Sequence, residues 1–122
     1  MTNEYTILIS SNFCPVLNIE KVRKILCENF IVNAFSDIIE SAAVCGGNGI
    51  YLNAVAILVS EIGPDEMQFF LKETETILGR VRGPESKGQV AIDLDLVEQN
   101  GIVIRTKDAE QDYYKNCIKT LY

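Results

Sequence analysis

Residues 51–61 read Tyr-Leu-Asn-Ala-Val-Ala-Ile-Leu-Val-Ser-Glu, and this stretch decides the fold. Successive residues of a β-strand point to opposite faces of a sheet, so alternate side chains share a face. One face would carry Tyr51, Asn53, Val55, Ile57 and Val59, and the other Leu52, Ala54, Ala56 and Leu58. The alternation predicts a strand over Tyr51–Glu61.

A helix is predicted directly after this strand, opening at Gly63-Pro64-Asp65-Glu66. Proline suits the first helical turn because its missing N–H would be unpaired there, and acidic residues favour the positive end of the helix dipole. Gly79 is the expected C-terminal stop. The predicted buried stripe consists of Met67, Phe70, Leu71, Thr74, Ile77 and Leu78.

The N-terminal third predicts a strand, a helix and a second β segment. Tyr5–Ile9 is rich in aliphatic and aromatic residues, and a helical pattern follows from Asn18, the expected N-cap. Phe30–Ile39 returns to β-type composition, and the small, glycine-rich stretch Ser41–Gly49 predicts a loop.

The C-terminal third predicts a polar loop over Gly83–Gly88, a strand over Val90–Val97 and a short additional strand over Gly101–Arg105. A weaker helical pattern, Asp108–Leu121, closes the chain. The order β-α-β-β-α-β predicts a single ferredoxin-like α+β domain over residues 1–122, with two helices on one face of an antiparallel sheet and a short C-terminal extension. The other face would be free.

Composition excludes several classes of function. The chain has 122 residues, 48% of them hydrophobic, and a formal charge of −6 from 11 basic and 17 acidic residues. This charge argues against nucleic acid or an anionic membrane as partner, since both need a basic face. The chain has no histidine, which removes Ser-His-Asp and Cys-His nucleophile arrangements and histidine-ligated metals.

The longest apolar stretches, Val55–Val59 and Ile102–Ile104, are too short to cross a bilayer. The four cysteines form no Cys-x-x-Cys pair, and no basic region leads into an apolar stretch at the start of the chain. We therefore expect a cytoplasmic protein with free thiols. A free sheet edge or the open sheet face would also suit a homodimer, although nothing in the sequence selects one.

The segment Ile92-Asp93-Leu94-Asp95-Leu96 carries the strongest chemical signal. On a strand both aspartates share one face, roughly 6.5–7 Å apart along the backbone. Such a pair can bind a hard cation, and Mg²⁺ prefers oxygen ligands and keeps phosphate oxygens and waters in its shell. The alternative is the solvated face of an amphipathic strand, although aspartate is disfavoured in strands.

Two further features have similar double interpretations. Arg80 and Arg82 follow a helix end and could bind phosphate oxygens, or could complement the helix dipole. Tyr51 and Asn53 place a ring and an amide on one strand face, where Asn53 could offer a donor and an acceptor to a heterocycle. The alternative is that Asn53 is a polar residue on the surface near a strand end.

Taken in order, the series Tyr51-Leu52-Asn53-Ala54-Val55, Glu75, Gly79-Arg80-Val81-Arg82 and Ile92-Asp93-Leu94-Asp95 resembles the 6-hydroxymethyl-7,8-dihydropterin pyrophosphokinase family of folate biosynthesis. The family also has a ferredoxin-like core, and a Gly-Ser-Asn turn after its first strand, where this chain has Ser10-Ser11-Asn12.

The resemblance implies Mg²⁺-dependent transfer of the β,γ-pyrophosphoryl group of ATP to a pterin hydroxymethyl oxygen. Asp93 and Asp95 would bind the metal and act in catalysis together with Arg80 and Arg82. Glu75, Arg80 and Lys87 would belong to the nucleotide side. The pterin would be bound by Ser41, Tyr51 and Asn53.

The chain also departs from the family pattern. Lys87-Gly88-Gln89-Val90 replaces Trp-Gly-Pro-Arg, Ser41-Ala42 replaces Thr-Pro, and a later Pro-His stretch is replaced by the neighbourhood of Tyr113-Tyr114-Lys115. Three interpretations therefore stay open: a pyrophosphokinase with full or weakened activity, a non-catalytic pterin- or nucleotide-binding relative, and a ferredoxin-like regulatory or oligomerisation module.

Overall fold

The computed structural model describes residues 2–42 and 49–121, which form a six-stranded sheet and four helices. The strands are β1 (Asn3–Ser11), β2 (Ile31–Phe35), β3 (Ile39–Ala42), β4 (Ile50–Ser60), β5 (Asp93–Gln99) and β6 (Ile102–Val103). The helices are α1 (Pro15–Asn29), α2 (Pro64–Ile77), α3 (Thr106–Ala109) and α4 (Asp112–Thr120), and a short 3₁₀ turn spans Pro84–Ser86.

The sheet is antiparallel throughout, in the order β2-β4-β1-β5-β6, with β3 pairing with a second stretch of β4. This arrangement confirms the predicted ferredoxin-like fold. The predicted segment Phe30–Ile39 is two strands rather than one. At the break between them, the Ser36 N–H donates to the Val55 carbonyl (2.8 Å) and the Ser36 hydroxyl accepts from the Val55 N–H (2.8 Å), which holds the connection against β4.

The main core lies between one face of the sheet and the helices α1 and α2. The predicted inward residues of β4 all belong to it, with Ala54, Ala56 and Leu58 fully buried and Leu52 packed against them. From α2 it contains Met67 and Leu71. The other fully buried members are Tyr5, Ile7, Ile9, Ile19, Val22, Leu26, Ile92, Leu94 and Leu96.

The predicted stripe of α2 is wrong at one position. Ile77 is 75% exposed, and Glu75 is fully buried in its place. The helix turns its Met67, Leu71 and Thr74 face to the sheet, which leaves the side chain at position 77 outside the contact. Gly79 follows the helix with φ +91°, a left-handed conformation that suits glycine and confirms it as the stop.

The sequence predicted that the second face of the sheet would be free. This prediction is wrong, because the C-terminal helix α4 covers part of that face. Tyr114 and Cys117 of α4 are buried against Leu8, Val55 and Val97, one residue from each of three neighbouring strands. The Tyr114 hydroxyl donates to the Glu98 carboxylate and fixes the helix on the sheet. The uncovered remainder of this face lies beside the first half of β5.

Three predicted boundaries also differ. Helix α1 begins at Pro15, so Asn18 is not its N-cap; instead its side-chain amide donates to the Phe13 carbonyl at 2.7 Å. Strand β5 begins at Asp93, not at residue 90. Ser41 lies in β3 and not in a loop, while residues 43–48 of the predicted loop lie outside the described part of the chain. No helix within the described ranges is long and apolar enough to cross a membrane.

Candidate active site

A cavity of about 150 Å³ opens on the sheet face beside the C-terminal helices. Five residues that the sequence singled out line it together, from three different strands: Ser41, Tyr51, Asn53, Asp93 and Asp95. The remaining lining residues are Leu8, Ser10, Ala42, Asp108 and Tyr113. The fold thus brings the predicted heterocycle-binding residues and the predicted metal ligands to one place.

The register of the sheet explains this convergence. Ser10 on β1 pairs with Asn53 on β4 and with Asp93 on β5, so the three side chains form a row across neighbouring strands. Since adjacent strands are about 4.8 Å apart, the Cα atoms of Asn53 and Asp93 lie about 10 Å apart across the sheet. We call Ser10, Ser41 and Asn53 the amide side of the cavity, and Asp93 and Asp95 its carboxylate side.

Hydrogen bonds between neutral groups fix the amide side. Asn53 is almost fully buried, and its amide nitrogen donates to the Ser41 hydroxyl (2.9 Å) and to the Ile39 carbonyl (3.0 Å). Its amide oxygen accepts from the Ser10 hydroxyl at 2.7 Å. Both N–H donors of the Asn53 amide are therefore used within the protein, and the residue holds β3 and its Ser41 against the cavity.

The two carboxyl groups of the carboxylate side are held close enough to share a hydrogen bond. Asp95 is only 8% exposed, and burial together with the neighbouring Asp93 carboxylate raises its pKa to about 7. Burial opposes ionisation of Asp93 too, but the hydrogen bond from Asp95 and the charge of Arg80 outweigh it and lower the Asp93 pKa. The pair thus repels itself unless a proton or a cation is present.

Charged side chains of α2 and the segment after it occupy the outer edge of β5, next to the aspartates. The Leu94 N–H donates to Glu75 at 2.7 Å, and the Leu94 carbonyl accepts from Lys72 at 2.9 Å. Arg80 donates to the Ile92 carbonyl at 3.0 Å. These groups therefore pair with backbone N–H and C=O groups at the edge where a neighbouring strand is lacking.

Glu75 organises this edge. Its fully buried carboxylate lies 2.9 Å from the Lys72 ammonium and 3.9 Å from the Arg80 guanidinium, and it binds the Arg82 guanidinium directly. The structure therefore places Glu75 behind the cavity rather than on its wall. Arg82 is the more exposed of the two predicted arginines.

Three cations flank the aspartates. Arg80 lies 3.2 Å from Asp93 and is held by its bond to the Ile92 carbonyl. Lys72 and Arg105 lie 3.6 Å and 3.8 Å from the same Asp95 oxygen, in ion-pair range but beyond hydrogen-bonding distance. Lys87, predicted on the nucleotide side, is exposed after the 3₁₀ turn and does not line the cavity.

Sequence reasoning missed five residues of this region. Two of them are Lys72 and Arg105. For their segments the sequence predicted only a helix and a short strand, with no functional role. The other three are Ser10, Asp108 and Tyr113. Tyr113 lay in the neighbourhood compared with the Pro-His stretch and had no role assigned. It lines the cavity together with the acidic pair, and burial and the charges of Asp108, Asp95 and Asp93 raise its pKa.

The carboxylates of Asp93 and Asp95 fit a magnesium site in which a bound ligand completes the coordination shell of the ion. Within residues 2–42 and 49–121, no group of three or more His, Cys, Asp or Glu side chains is arranged to hold a metal. The site instead has two carboxylates, Asp93 and Asp95, which repel each other. Mg²⁺ accepts two protein ligands of this kind when phosphate oxygens and waters supply its other ligands.

The fold and the cavity define a ferredoxin-like domain with a paired-carboxylate site on its sheet. A family model described as 7,8-dihydro-6-hydroxymethylpterin-pyrophosphokinase (HPPK) matches residues 6–120, nearly the whole chain. The chain therefore belongs to this family. None of the curated proteins matches the sequence.

Proposed function

We propose that this protein is a 6-hydroxymethyl-7,8-dihydropterin pyrophosphokinase acting in folate biosynthesis, with ATP and Mg²⁺. The observation that carries the proposal is the meeting of Tyr51 and Asn53 with Asp93 and Asp95 in one cavity of a chain that belongs to this family. The substrates would be small molecules, and the cavity has the two chemistries they need, an amide for a heterocycle and carboxylates for a metal-bound phosphate.

In the proposed reaction the pterin hydroxymethyl oxygen attacks the β-phosphorus of ATP. A bond forms between that oxygen and the β-phosphorus, and the bond from the β-phosphorus to the oxygen bridging the α- and β-phosphates breaks. The products are AMP and the pterin diphosphate ester, and the hydroxyl proton is released to solvent. Such a transfer depends on positioning and charge neutralisation and needs no histidine nucleophile.

Asp93 and Asp95 would hold Mg²⁺ at the carboxylate side. The ion, when bound, would neutralise phosphate charge and orient the β-phosphate. The raised pKa of Asp95 supports this assignment, because a divalent cation relieves the repulsion that makes Asp95 retain a proton. Arg80, which is held against Asp93, and Arg82 would contribute positive charge on the nucleotide side, and Lys87 would bind phosphate only after a change of position.

At the amide side, Tyr51 would form a wall of the pterin pocket and Ser41 would present a hydroxyl. Asn53 would hydrogen-bond the pterin by exchanging its present bond to Ser41 for one to the heterocycle. Glu75 would act on the nucleotide side through Lys72 and Arg82, both of which it binds.

The test is an assay of AMP formation from ATP, Mg²⁺ and 6-hydroxymethyl-7,8-dihydropterin, with the folded state checked by circular dichroism. We expect AMP that depends on all three components and is lost in Asp95→Ala. Folded wild-type protein that forms no AMP above background would contradict the proposal.

A second candidate function is binding of a pterin or nucleotide without transfer. It is favoured by the segment 87–90, where Val90 stands in place of the family's arginine and Lys87 does not line the cavity. Ground-state binding can persist when a contact made only in the transition state is lost. Calorimetry that detects pterin and ATP binding while the assay detects no AMP would select this second candidate.

A further inference from the structure

We propose that Lys72 and Arg105 are phosphate-binding residues of this site and supply positive charge beside Asp95, from helix α2 and from the segment between β6 and α3. The inference rests on the proposed function, since it assigns the residues that would receive the triphosphate. The sequence motifs included neither residue.

The first argument is position. Lys72 reaches Asp95 from helix α2, and Arg105 reaches the same oxygen from the segment between β6 and α3, at 3.6 Å and 3.8 Å. A phosphate bound through a metal ion on Asp93 and Asp95 would therefore lie near both cations. A phosphate oxygen in that position would attract both cations.

The second argument is availability. Arg80 is 16% exposed and bonded to both Ile92 and Asp93, so its guanidinium is fixed. Lys72 and Arg105 are 44% and 50% exposed, and neither hydrogen-bonds Asp95 at its distance. An ion pair without a hydrogen bond between partly exposed side chains is weak, so a phosphate oxygen can replace the Asp95 contact of either cation at small cost.

The third argument is how these side chains are anchored. Lys72 is held by the Glu75 carboxylate and the Leu94 carbonyl, and the Arg105 Nε donates to Asp108. Anchoring reduces the conformational entropy that a long side chain loses when it binds a ligand. It leaves Nη2 of Arg105 on the Asp95 side.

The position of the Lys72 ammonium near the proposed metal site distinguishes a phosphate-binding role from a purely structural one. Lys72 would repel a free divalent cation and attract a triphosphate, so removing its charge should move the two affinities in opposite directions. A residue that only supported the fold would weaken both.

The experiment measures dissociation constants by calorimetry for two probes, Mg²⁺ alone and an ATP analogue with a methylene bridge between the α- and β-phosphates in the presence of Mg²⁺. The variants are Lys72→Met, Lys72→Arg and Arg105→Gln, with Lys24→Met, an exposed lysine on α1, as the control for loss of one positive charge. Thermal unfolding checks that each variant is folded, and affinity for the pterin serves as the internal reference.

We expect Lys72→Met and Arg105→Gln each to weaken analogue binding by about tenfold, and Lys72→Met to tighten binding of Mg²⁺ alone by about threefold. Lys72→Arg should restore most of the analogue affinity, and Lys24→Met should change neither constant.

Analogue affinity that stays within twofold of wild type in both variants would overturn the inference while leaving the proposed function intact. Equal weakening of pterin and analogue would also overturn it, because it would indicate a structural role. Wild-type protein that binds no analogue would contradict the inference and the proposed use of ATP together.

Discussion

The amide side of the cavity is held by hydrogen bonds between neutral groups, whereas the carboxylate side is held by ion pairs among groups that would otherwise repel. Asn53 has three short hydrogen bonds to fixed partners, but Asp95 lies 3.6 Å and 3.8 Å from its two nearest cations and keeps a raised pKa of about 7. The amide side is thus preorganised and stabilises the fold. The carboxylate side costs stability until it is filled.

The largest expected effect is on catalysis, at the carboxylate side. Asp93→Asn and Asp95→Asn should each lower the rate of AMP formation by about 10²–10³-fold or more, because each removes half of the charge proposed to hold Mg²⁺. Steady-state kinetics with the folded variants measures this. Asp65→Asn, which changes an exposed aspartate at the start of α2, is the matched control and should leave the rate unchanged. A rate within threefold of wild type in either site variant would contradict the assignment.

The next effect is on stability, at the amide side. Asn53→Ala should lower the free energy of unfolding by about 2–3 kcal/mol, because three hydrogen bonds, one of them buried, are lost and Ser10 keeps an unpaired hydroxyl. Urea unfolding measures the change. Asn33→Ala, at an exposed position on β2, should have little effect. An Asn53→Ala variant as stable as wild type would show that the amide side is not preorganised by these bonds.

A smaller effect is expected at Glu75, which lies behind the carboxylate side. Glu75→Gln keeps the size of the side chain and one acceptor for the Leu94 N–H but removes the charge that binds Lys72 and Arg82. Because both cations can turn to solvent, the loss in the free energy of unfolding should be about 1–2 kcal/mol rather than the larger cost of a stranded buried charge. Glu73→Gln, exposed on the same helix, provides the comparison in a urea titration. Equal stability of the two variants would argue against Glu75 as the organiser of this edge.

The smallest effect has the opposite sign and concerns the metal-free protein. The folded-state pKa of Asp95, about 7, lies above its ordinary value of 3.8. The stability linked to its protonation is therefore complete below pH 3.8 and is lost as the pH rises through about 7. Asp95→Asn should remove this loss and, with a chelator present, stabilise the protein by about 1–2 kcal/mol above pH 7.

Thermal unfolding at two pH values checks this expectation. The gain in Tm of Asp95→Asn over wild type should be several degrees at pH 8 and should shrink towards zero at pH 5. A variant that is less stable than wild type at pH 8 would mean that the Asp95 charge is well compensated by Lys72 and Arg105. This result would contradict the claim that the carboxylate side, unlike the amide side, costs stability when no cation is bound.

The fold was predictable because its determinants are local. The alternation of Tyr51–Glu61 placed Leu52, Ala54 and Ala56 on the core face, where they lie, and Gly79 marked the end of α2. The positions that failed depend on tertiary contacts. Ile77 fits the helical period, yet the sheet does not reach it, while Glu75 is buried because β5 needs an acceptor for the Leu94 N–H.

The candidate site was predictable to the extent that its residues lie on strands. The alternation in Ile92–Leu96 placed Asp93 and Asp95 on one face, and the register then brought them to Asn53. Lys72 and Arg105 were not predictable, because their approach to Asp95 depends on how α2 and the C-terminal segment pack on β5. Cover of the second sheet face by α4 was missed for the same reason.

The central claim is that Asp93 and Asp95 together hold one divalent ion beside the heterocycle-binding amide side. The most direct test is titration of the protein with Mn²⁺, as a paramagnetic substitute for Mg²⁺, in the presence of the methylene-bridged ATP analogue, with bound ion counted by electron paramagnetic resonance. We predict at least one tightly bound ion in the wild type that is lost in both Asp93→Asn and Asp95→Asn and kept in Asp65→Asn. Retention of every tightly bound ion in either site variant would contradict the claim.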